Sequence, residues 1–252
     1  MKKIYLLIGI ICTAITQLHA QETSNQLDDK GLRHGIWKGY HEGSKRLRYE
    51  GTFEHGKEKG IFKYYDDTKA ASLIATRDFS KGDGSCYITF FDQKGFKVSE
   101  GLLVNKVYEG EWKYYHRESK ELMTQEFYNS GKLSGWRKVF FKNTKLAEEV
   151  FYTEGKKNGL AKIYSEAGNL IEALTYKNDL LEGTATYYDG QGIKLYEGQY
   201  KKGVRVGMWK FYENDKVLKE VKARNFSKEL IKFEEKRMKV IEKATKNIEK
   251  KE

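Results

Sequence analysis

The residue types that most often carry chemistry are few in this chain. Beyond the first twenty residues it has four histidines and one cysteine: His34, His41, His55, His116 and Cys86. The sequence contains no G-x-S-x-G nucleophile elbow, no phosphate-binding P-loop and no H-E-x-x-H zinc motif, since His41-Glu42 lacks the second histidine. We therefore predict that the chain is not an enzyme and has no catalytic residue, no cofactor and no metal site.

Two alternatives start from the same residues. His34, His41 and His55 lie close together in the sequence and could jointly hold a metal ion. However, His34 and His55 fall in glycine-containing turns, where polar residues need no special function. Cys86 could act as a nucleophile only beside a basic group, and its neighbours in sequence offer none. We interpret Cys86 as a packed thiol.

The elements that would position these residues come from one repeated segment, best seen as GKKNGLAKIYSEAGNLIEALTY at Gly155–Tyr176. The second glycine of the segment returns at intervals of 24 to 26 residues: Gly35, Gly60, Gly84, Gly110, Gly135, Gly159, Gly183 and Gly207. Each interval has room for two short strands and two turns. We predict an all-β fold, an elongated single-layer antiparallel meander of eight β-hairpin repeats over residues 29–220, with a C-terminal α-helix over residues 221–252.

Aromatic residues recur at two positions of this segment. Two residues after the glycine stand Trp37, Phe62, Cys86, Trp112, Arg137, Ala161, Ala185 and Trp209, and five residues after it stand Tyr40, Tyr65, Thr89, Tyr115, Phe140, Tyr164, Tyr188 and Tyr212. Positions three apart in a strand face opposite sides of a sheet, so both faces should carry aromatic rings. We favour packing between neighbouring repeats; the alternative is a platform for ligand stacking at Trp37, Trp112 and Trp209.

Lysine stands three residues after the glycine in six of the eight copies: Lys38, Lys63, Lys113, Lys138, Lys162 and Lys210. The second strands of the repeats carry a nearly regular acid: Glu50, Glu100, Glu126, Glu149, Glu172, Glu197 and Glu220. We expect these two sets to form cross-strand Lys–Glu pairs. The alternative is a basic track for a polyanion, so the lysines and the three tryptophans together are the candidate interaction surface.

The N-terminal twenty residues have the pattern of a secretory signal peptide: Lys2 and Lys3, an apolar run from Ile4 to Ile15, and a polar end before Gln21. We expect export and a periplasmic or secreted protein that does not span a membrane. Removing both lysines takes the formal charge from +11 to +9. Such a charge favours anionic lipid or glycan surfaces, and export makes nucleic acid an unsuitable partner. Residues 21–28 are predicted to be a flexible leader.

The phrases GLRHGIWKGY, GKEKGIFKYY, GKKNGLAKIY and GVRVGMWKFY resemble variant MORN repeats (membrane occupation and recognition nexus), especially bacterial proteins often labelled as toxin–antitoxin antitoxin components. The resemblance covers residues 29–220. It implies elongated β-hairpin arrays that associate with protein or lipid and share no catalytic residues. An antitoxin role fits poorly with export. Copies three and seven lack both the first glycine and the first aromatic residue, so they should be the loosest.

After Glu220 the repeat stops. Ser227 can cap a helix whose apolar stripe comprises Leu230, Phe233, Ile241, Ala244 and Ile248, interrupted by Arg237. We expect this helix to cover the open end of the array, with partner binding as its alternative role. The sequence favours an exported, non-catalytic scaffold that binds an unidentified envelope protein. A peripheral binder of anionic lipid or glycan is the alternative, ahead of an antitoxin-like or enzymatic role.

Overall fold

The computed structural model describes the main chain of residues 23–249 and the side chains of residues 23–243. The predicted signal peptide, residues 1–20, lies outside the described residues. Within the described part, no helix has the length and apolar character needed to cross a membrane.

Eighteen strands follow one another in the described chain: β1 (Gln26–Leu27), β2 (Arg33–Tyr40), β3 (Leu47–Glu54), β4 (Lys57–Tyr65), β5 (Leu73–Asp78), β6 (Cys86–Phe91), β7 (Lys97–Val104), β8 (Val107–Tyr115), β9 (Leu122–Asn129), β10 (Lys132–Leu133), β11 (Gly135–Phe140), β12 (Leu146–Thr153), β13 (Lys156–Tyr164), β14 (Leu170–Lys177), β15 (Leu180–Tyr188), β16 (Lys194–Lys201), β17 (Val204–Glu213) and β18 (Lys216–Lys222). A 3-10 turn at Ala223–Asn225 leads into helix α1 (Phe226–Glu249).

The strands pair antiparallel with their neighbours in sequence, from β1–β2 to β17–β18. β10 and β11 form one strand interrupted at Ser134, and β1 precedes the first repeat, so the eight repeats supply sixteen strands, as predicted. We number the repeats in chain order: repeat one is β2–β3, repeat three is β6–β7, repeat seven is β15–β16 and repeat eight is β17–β18. The predicted open meander with a C-terminal helix is confirmed.

Every repeat has the same irregularity near the turn that joins its two strands. The pairing register shifts by one residue between Gly39/Tyr40, Tyr64/Tyr65, Phe90/Phe91, Tyr114/Tyr115, Val139/Phe140, Ile163/Tyr164, Tyr187/Tyr188 and Phe211/Tyr212. Such a β-bulge adds one residue to one strand and increases the local twist. The eight repeats therefore share one backbone design even where their side chains differ.

The registers place side chains in rows that cross the whole sheet. One row contains Trp37, Gly51, Phe62, Arg77, Ile88, Gly101, Trp112, Glu126, Arg137, Val150, Ala161, Leu174, Ala185, Gly198, Trp209 and Val221, and we call its side of the sheet the packed face. Residues next to these in sequence point to the other side, which we call the open face. The prediction that both faces carry aromatic rings is correct.

Three fully buried rings on the packed face lie directly over glycines of the preceding strand. Phe62 covers Gly51, Trp112 covers Gly101 and Trp209 covers Gly198; a Cβ atom on these glycines would lie 2.2–2.4 Å from the ring. All three rings are at most 1% exposed. Glycine is required here because the ring occupies the space of a side chain, and the ring is buried because the glycine leaves that space open.

Helix α1 lies on the packed face at its C-terminal end. The ring of Phe226 is 1% exposed and lies 4.5 Å from the ring of Trp209 and 5.4 Å from that of Phe211. The Arg237 guanidinium reaches Asp189, in the turn that joins the strands of repeat seven, at 3.3 Å. The helix therefore covers the end of the packed face.

The strand edge that we expected α1 to cover is a different surface. β18 pairs on one side with β17, and six of its seven residues are exposed. Leu230 and Phe233 of the predicted stripe do pack on the core, whereas Ile241 is 51% exposed. Ala244 and Ile248 lie beyond the described side chains. The helix follows the large apolar area around Trp209, because burying that area yields more free energy than shielding backbone groups that water can satisfy.

Three sequence-based boundaries are wrong in detail. Part of the predicted flexible leader is ordered, since Gln26–Leu27 pairs with β2 and the Asn25 side chain bonds the main-chain N–H and C=O of Lys38 at 2.7 and 3.0 Å. β18 continues beyond residue 220 to Lys222, and Ser227 is already inside α1, so it is not the residue before the helix.

The alignment of repeat three is also corrected by two residues. Ile88, and not Cys86, lies in the row with Trp112, because Ile88 pairs with Gly101 as Trp37 pairs with Gly51. Likewise Phe91, and not Thr89, follows the bulge. The glycine at 84 misled the alignment because it belongs to the irregular segment between β5 and β6.

Candidate interaction surface

The three tryptophans do not form a stacking platform. Trp112 and Trp209 are 1% and 0% exposed, so no ligand can reach their rings. The indole N–H of Trp112 donates to the Leu102 carbonyl at 3.0 Å, while that of Trp209 has no acceptor among the described residues. Trp37 is half-buried, and its N–H donates to the Gln26 carbonyl at 3.0 Å. Packing between repeats, the interpretation we favoured, is confirmed for Trp112 and Trp209.

All six lysines of the candidate surface lie in one row on the open face. The row reads Lys38, Glu50, Lys63, Thr76, Thr89, Glu100, Lys113, Gln125, Lys138, Glu149, Lys162, Ala173, Thr186, Glu197, Lys210 and Glu220. Five of the seven predicted acids thus stand directly opposite lysines. The predicted alternation of lysine and glutamate is present, and it places opposite charges side by side along the array.

Only some of these opposed residues form close ion pairs. Lys63 Nζ lies 3.8 Å from Glu50, and Lys162 Nζ lies 3.3 Å from Glu149. Lys113 turns to its neighbour Glu111 at 2.9 Å. Among the described residues, no ion pair is formed by Lys38, Lys138 or Lys210. Half of the lysine row is therefore not neutralised by close contact.

The acids at 126 and 172 lie on the packed face, because Glu126 comes one residue after Gln125 of the row and Glu172 comes one residue before Ala173 of the row. Glu126 is held at 3.0 Å by the Arg137 guanidinium. Glu172 stands between Ile163 and Tyr187 and has no ion pair within the described chain. Burial raises the pKa of the Glu172 carboxyl. The prediction that these two acids belong to the Lys–Glu ladder is wrong.

Four glutamates of the open-face row each accept a hydrogen bond from a tyrosine of the following repeat. The hydroxyls of Tyr65, Tyr164 and Tyr212 donate to Glu50, Glu149 and Glu197 at 2.8, 2.9 and 2.5 Å, and Tyr115 donates to Glu100. Burial, followed by the hydrogen bond to the carboxylate, raises the pKa of Tyr65, Tyr164 and Tyr212 to about 12. These tyrosines stay protonated at physiological pH, so they bridge repeats and offer no acid–base chemistry.

A second row on the open face was missed by the sequence analysis. It lies one residue after the glycine position and is apolar in six repeats: Ile36, Ile61, Tyr87, Trp136, Leu160 and Met208. Ile61, Tyr87, Leu160 and Met208 are 42–56% exposed. Phe127 and Phe151 of the intervening strands extend the row. We call this set the apolar row. In the sequence, the apolar row could have been recognised from the apolar residue that follows most of the repeat glycines.

The histidines do not assemble as the three-histidine alternative requires. His41 Nε2 lies 3.2 Å from the Tyr65 carbonyl, at the edge of the sheet opposite to His34 and His55. The rings of His34 and His55 are 4.8 Å apart, and His55 Nδ1 lies 2.7 Å from a carboxylate oxygen of Asp28. The structure therefore replaces His41 with Asp28 in this cluster.

Cys86 is 8% exposed. Burial raises the pKa of its thiol, which disfavours the reactive thiolate. Its interpretation as a packed thiol is consistent with both observations.

No protein-family model matches the chain, and no curated protein matches it. Among solved structures the chain is similar to TarM, at 17% identity and a TM-score of 0.20 over 49% of this chain and 20% of TarM. It is similar to a mutant of S. aureus TarM in complex with fondaparinux, alpha-GlcNAc-glycerol and UDP, at 16% identity and a TM-score of 0.22 over 50% and 20%. A chain of the TcdB2-TccC3-Cdc42 structure is similar at 10% identity and a TM-score of 0.22, over 71% of this chain and 12% of that one. This chain spans a fifth or less of each, and similarity at this level carries no functional argument.

Proposed function

We propose that the chain is an exported, non-catalytic repeat scaffold that binds a protein partner in the cell envelope through the open face of its sheet. The observation that carries this proposal is the apolar row. Ile61, Tyr87, Leu160 and Met208 are exposed on the face that α1 leaves uncovered, and the rings of Trp136 and Phe151 lie side by side between them, 5.3 Å apart. Exposed apolar patches are characteristic of interaction sites.

The arrangement of the open face suits a protein partner. Members of the apolar row on successive repeats are two strands apart, a spacing of about 9–10 Å. The lysine and glutamate row runs beside it, two residues further along each strand. An apolar centre with aromatic residues and methionine, bordered by charged groups, has the composition of protein–protein interfaces. The fitting partner has a long apolar ridge flanked by charges.

Site-specific photo-crosslinking in intact cells tests the proposal. A photoreactive amino acid at position 61 or 160 of the open face should capture one envelope protein, whereas the same group at position 231, exposed on α1, should not. The paired variants Ile61→Asp and Leu160→Asp should weaken association with that protein. Capture from position 231 alone would move the interface to the helix, and capture from none of these positions would contradict the proposal.

The second candidate function is binding to anionic lipid or glycan, and it is favoured by the three lysines of the row that lack close ion pairs. The test is binding to anionic vesicles at low and physiological salt, because charge-held contacts weaken as ions screen them. A variant with Lys38, Lys138 and Lys210 changed to Gln removes the lysines of the row that form no close ion pair among the described residues. A chain ending at Arg237 removes the basic tail but keeps Phe226 and Phe233 in place. Loss of binding in the first variant alone would identify the lysine row as the contact.

A further inference from the structure

The N-terminal end of the array holds a cluster of potential metal ligands that its function as a scaffold does not use. Asp28, His34 and His55 each bring a ligand atom within 4.8 Å of the other two. They come from three separate segments: the loop after β1, the start of β2, and the turn between β3 and β4. Main-chain pairing holds these segments together, through Gln26–His34 and the bond from Gly56 N–H to the Arg33 carbonyl at 2.8 Å.

Asp28 is fixed in the geometry of a supporting carboxylate. One of its oxygens accepts the main-chain N–H groups of Lys30 and Leu32 at 3.0 and 2.8 Å, and the other faces His55 Nδ1 at 2.7 Å. Its side chain is only 6% exposed, whereas that of His55 is 63% exposed. A carboxylate that accepts the Nδ1–H of a histidine orients the ring and leaves Nε2 free as a ligand, the arrangement found around zinc in proteins.

The distance between the centres of the two rings suits two imidazoles bound to one ion. At a Zn–N distance of about 2.0–2.1 Å with tetrahedral angles, the two ring centres would be about 5 Å apart. Those of His34 and His55 are 4.8 Å apart. The rings are tilted by 41°, so they are not stacked on each other. Both histidines are exposed, so water can complete the coordination.

The charges around the cluster favour a cation. The carboxylates of Asp29 and Glu54 are close enough to act on His55 electrostatically, in addition to Asp28. Lys59 is paired with Glu54, and the Arg33 guanidinium lies over the rings of Trp37 and Phe53 at 4.8 and 5.2 Å. Lys59 and Arg33 are thus engaged with other groups.

We propose that His34 and His55 bind one divalent transition-metal ion such as Zn²⁺, and that Asp28 is the positioning residue that orients His55. Imidazole ligands favour Zn²⁺ over Mg²⁺ and Ca²⁺, which require oxygen ligands. The bound ion ties the start of β2 to the turn between β3 and β4, and the contact of Asp28 with His55 joins the loop after β1 to the same turn. This proposal revises the sequence-based expectation of no metal site, and it is independent of the proposed partner.

Zn²⁺ titration of the mature chain, followed by calorimetry and by competition with a fluorescent chelator, tests the site. We expect one equivalent of Zn²⁺ to bind and an excess of Mg²⁺ not to displace it. His34→Asn and His55→Asn should each weaken binding at least about tenfold, and Asp28→Asn about tenfold, the effect typical of an outer carboxylate. His41→Asn and His116→Asn are matched controls and should bind as the unmodified chain does.

Two further measurements separate a site from a folding defect. Zinc X-ray absorption should show imidazole scattering that His55→Asn reduces. Hydrogen exchange over residues 26–56 should slow on Zn²⁺ addition in the unmodified chain and in His41→Asn, and stay unchanged in His55→Asn. Absence of binding by the unmodified chain would overturn the proposal. Equal loss in His41→Asn and His55→Asn would do the same.

Discussion

Repeats three and seven differ on the packed face and are alike on the open face. On the open face Glu100 is held by Lys97 at 2.8 Å and by Tyr115, and Glu197 is held by Lys194 at 3.0 Å and by Tyr212. On the packed face repeat three has Ile88. An irregular segment precedes this repeat, and the strands on either side of the segment, β5 and β6, have only six residues each. Repeat seven has Ala185 in a regular nine-residue strand.

The small residue of repeat seven does not leave it loosely packed. Ala185 is 0% exposed because Leu174 stands opposite it on one side and Gly198, covered by the Trp209 ring, on the other. Ala185 belongs to the hydrophobic core cluster that extends from Val150 to Phe226. Where one repeat lacks an aromatic ring in this row, the side chains of the neighbouring repeat fill the space. We expected both repeats to be the loosest; an irregular segment precedes repeat three, whereas repeat seven is regular and closely packed at Ala185.

The largest expected effect comes from removing a ring that covers a glycine. Trp112→Ala and Trp209→Ala each delete a fully buried side chain over Gly101 or Gly198 and should destabilise the protein by about 3–5 kcal/mol. In a nearest-neighbour array the loss should remain local. Hydrogen exchange should rise in repeats three and four for Trp112→Ala, and in repeats seven and eight with α1 for Trp209→Ala. An equal rise over all eight repeats would show a single cooperative core.

A somewhat smaller effect tests the corrected alignment of repeat three. Ile88 is 3% exposed and lies in the row with Trp112, so Ile88→Ala should cost about 2–4 kcal/mol. Cys86 occupies the position that is glycine in the other repeats, so Cys86→Ala removes one atom where no side chain is usual and should cost much less. Urea unfolding midpoints show which of the two variants loses more stability. A larger loss for Cys86→Ala would restore the alignment based on Gly84.

The close packing of repeat seven can be tested by adding volume. Ala185→Leu places three more carbon atoms in a fully buried position between Leu174 and Gly198, and overpacking of this kind costs about 1–3 kcal/mol. Thr184→Leu is the matched control, because Thr184 is the preceding residue and is exposed on the open face. The control should change stability by less than about 0.5 kcal/mol. Equal thermal midpoints for the two variants would mean that repeat seven is as loose as the sequence suggests.

Much of this fold follows from the sequence because it depends on local spacing. The glycine interval predicts the number of hairpins, and alternation along a strand places Trp209 and Lys210 on opposite faces. The Lys–Glu rows follow in the same way. What the sequence does not show depends on pairing between repeats: the fit of Trp112 over Gly101 and the place of Ile88 both require the register. Asp28 joins His34 and His55 only because a short strand forms where no repeat was visible.

The shared polar contacts of repeats three and seven predict similar sensitivity to acid. The hydrogen bond from Tyr212, together with Lys194, lowers the pKa of Glu197. Burial alone would raise the pKa of Glu100, but the bonds from Lys97 and Tyr115 outweigh it and lower that pKa. A lowered folded-state pKa contributes stability above the ordinary value of 4.5, and this contribution is lost as pH falls through the folded value. Glu100→Gln and Glu197→Gln should therefore each lose stability at pH 7 and little at pH 3 in urea titrations. A loss independent of pH would assign the effect to packing.

The smallest expected effect has the opposite sign and concerns Glu172 of repeat six, beside repeat seven. Its pKa is raised by burial on the packed face, so its contribution is complete below 4.5 and is lost as pH rises through the folded value. At pH 7, well above 4.5, the half-buried Glu172 carboxyl beside Ile163 and Tyr187 costs the folded state stability, so Glu172→Gln should raise the urea midpoint. At pH 4 the native carboxyl is largely neutral, so the gain should shrink. Glu235→Gln makes the same charge change on the exposed side of α1 and should leave both midpoints unchanged. A gain at pH 7 of equal size in Glu235→Gln would trace the effect to net charge, and a loss in Glu172→Gln would mean that the carboxylate is stabilised where it lies.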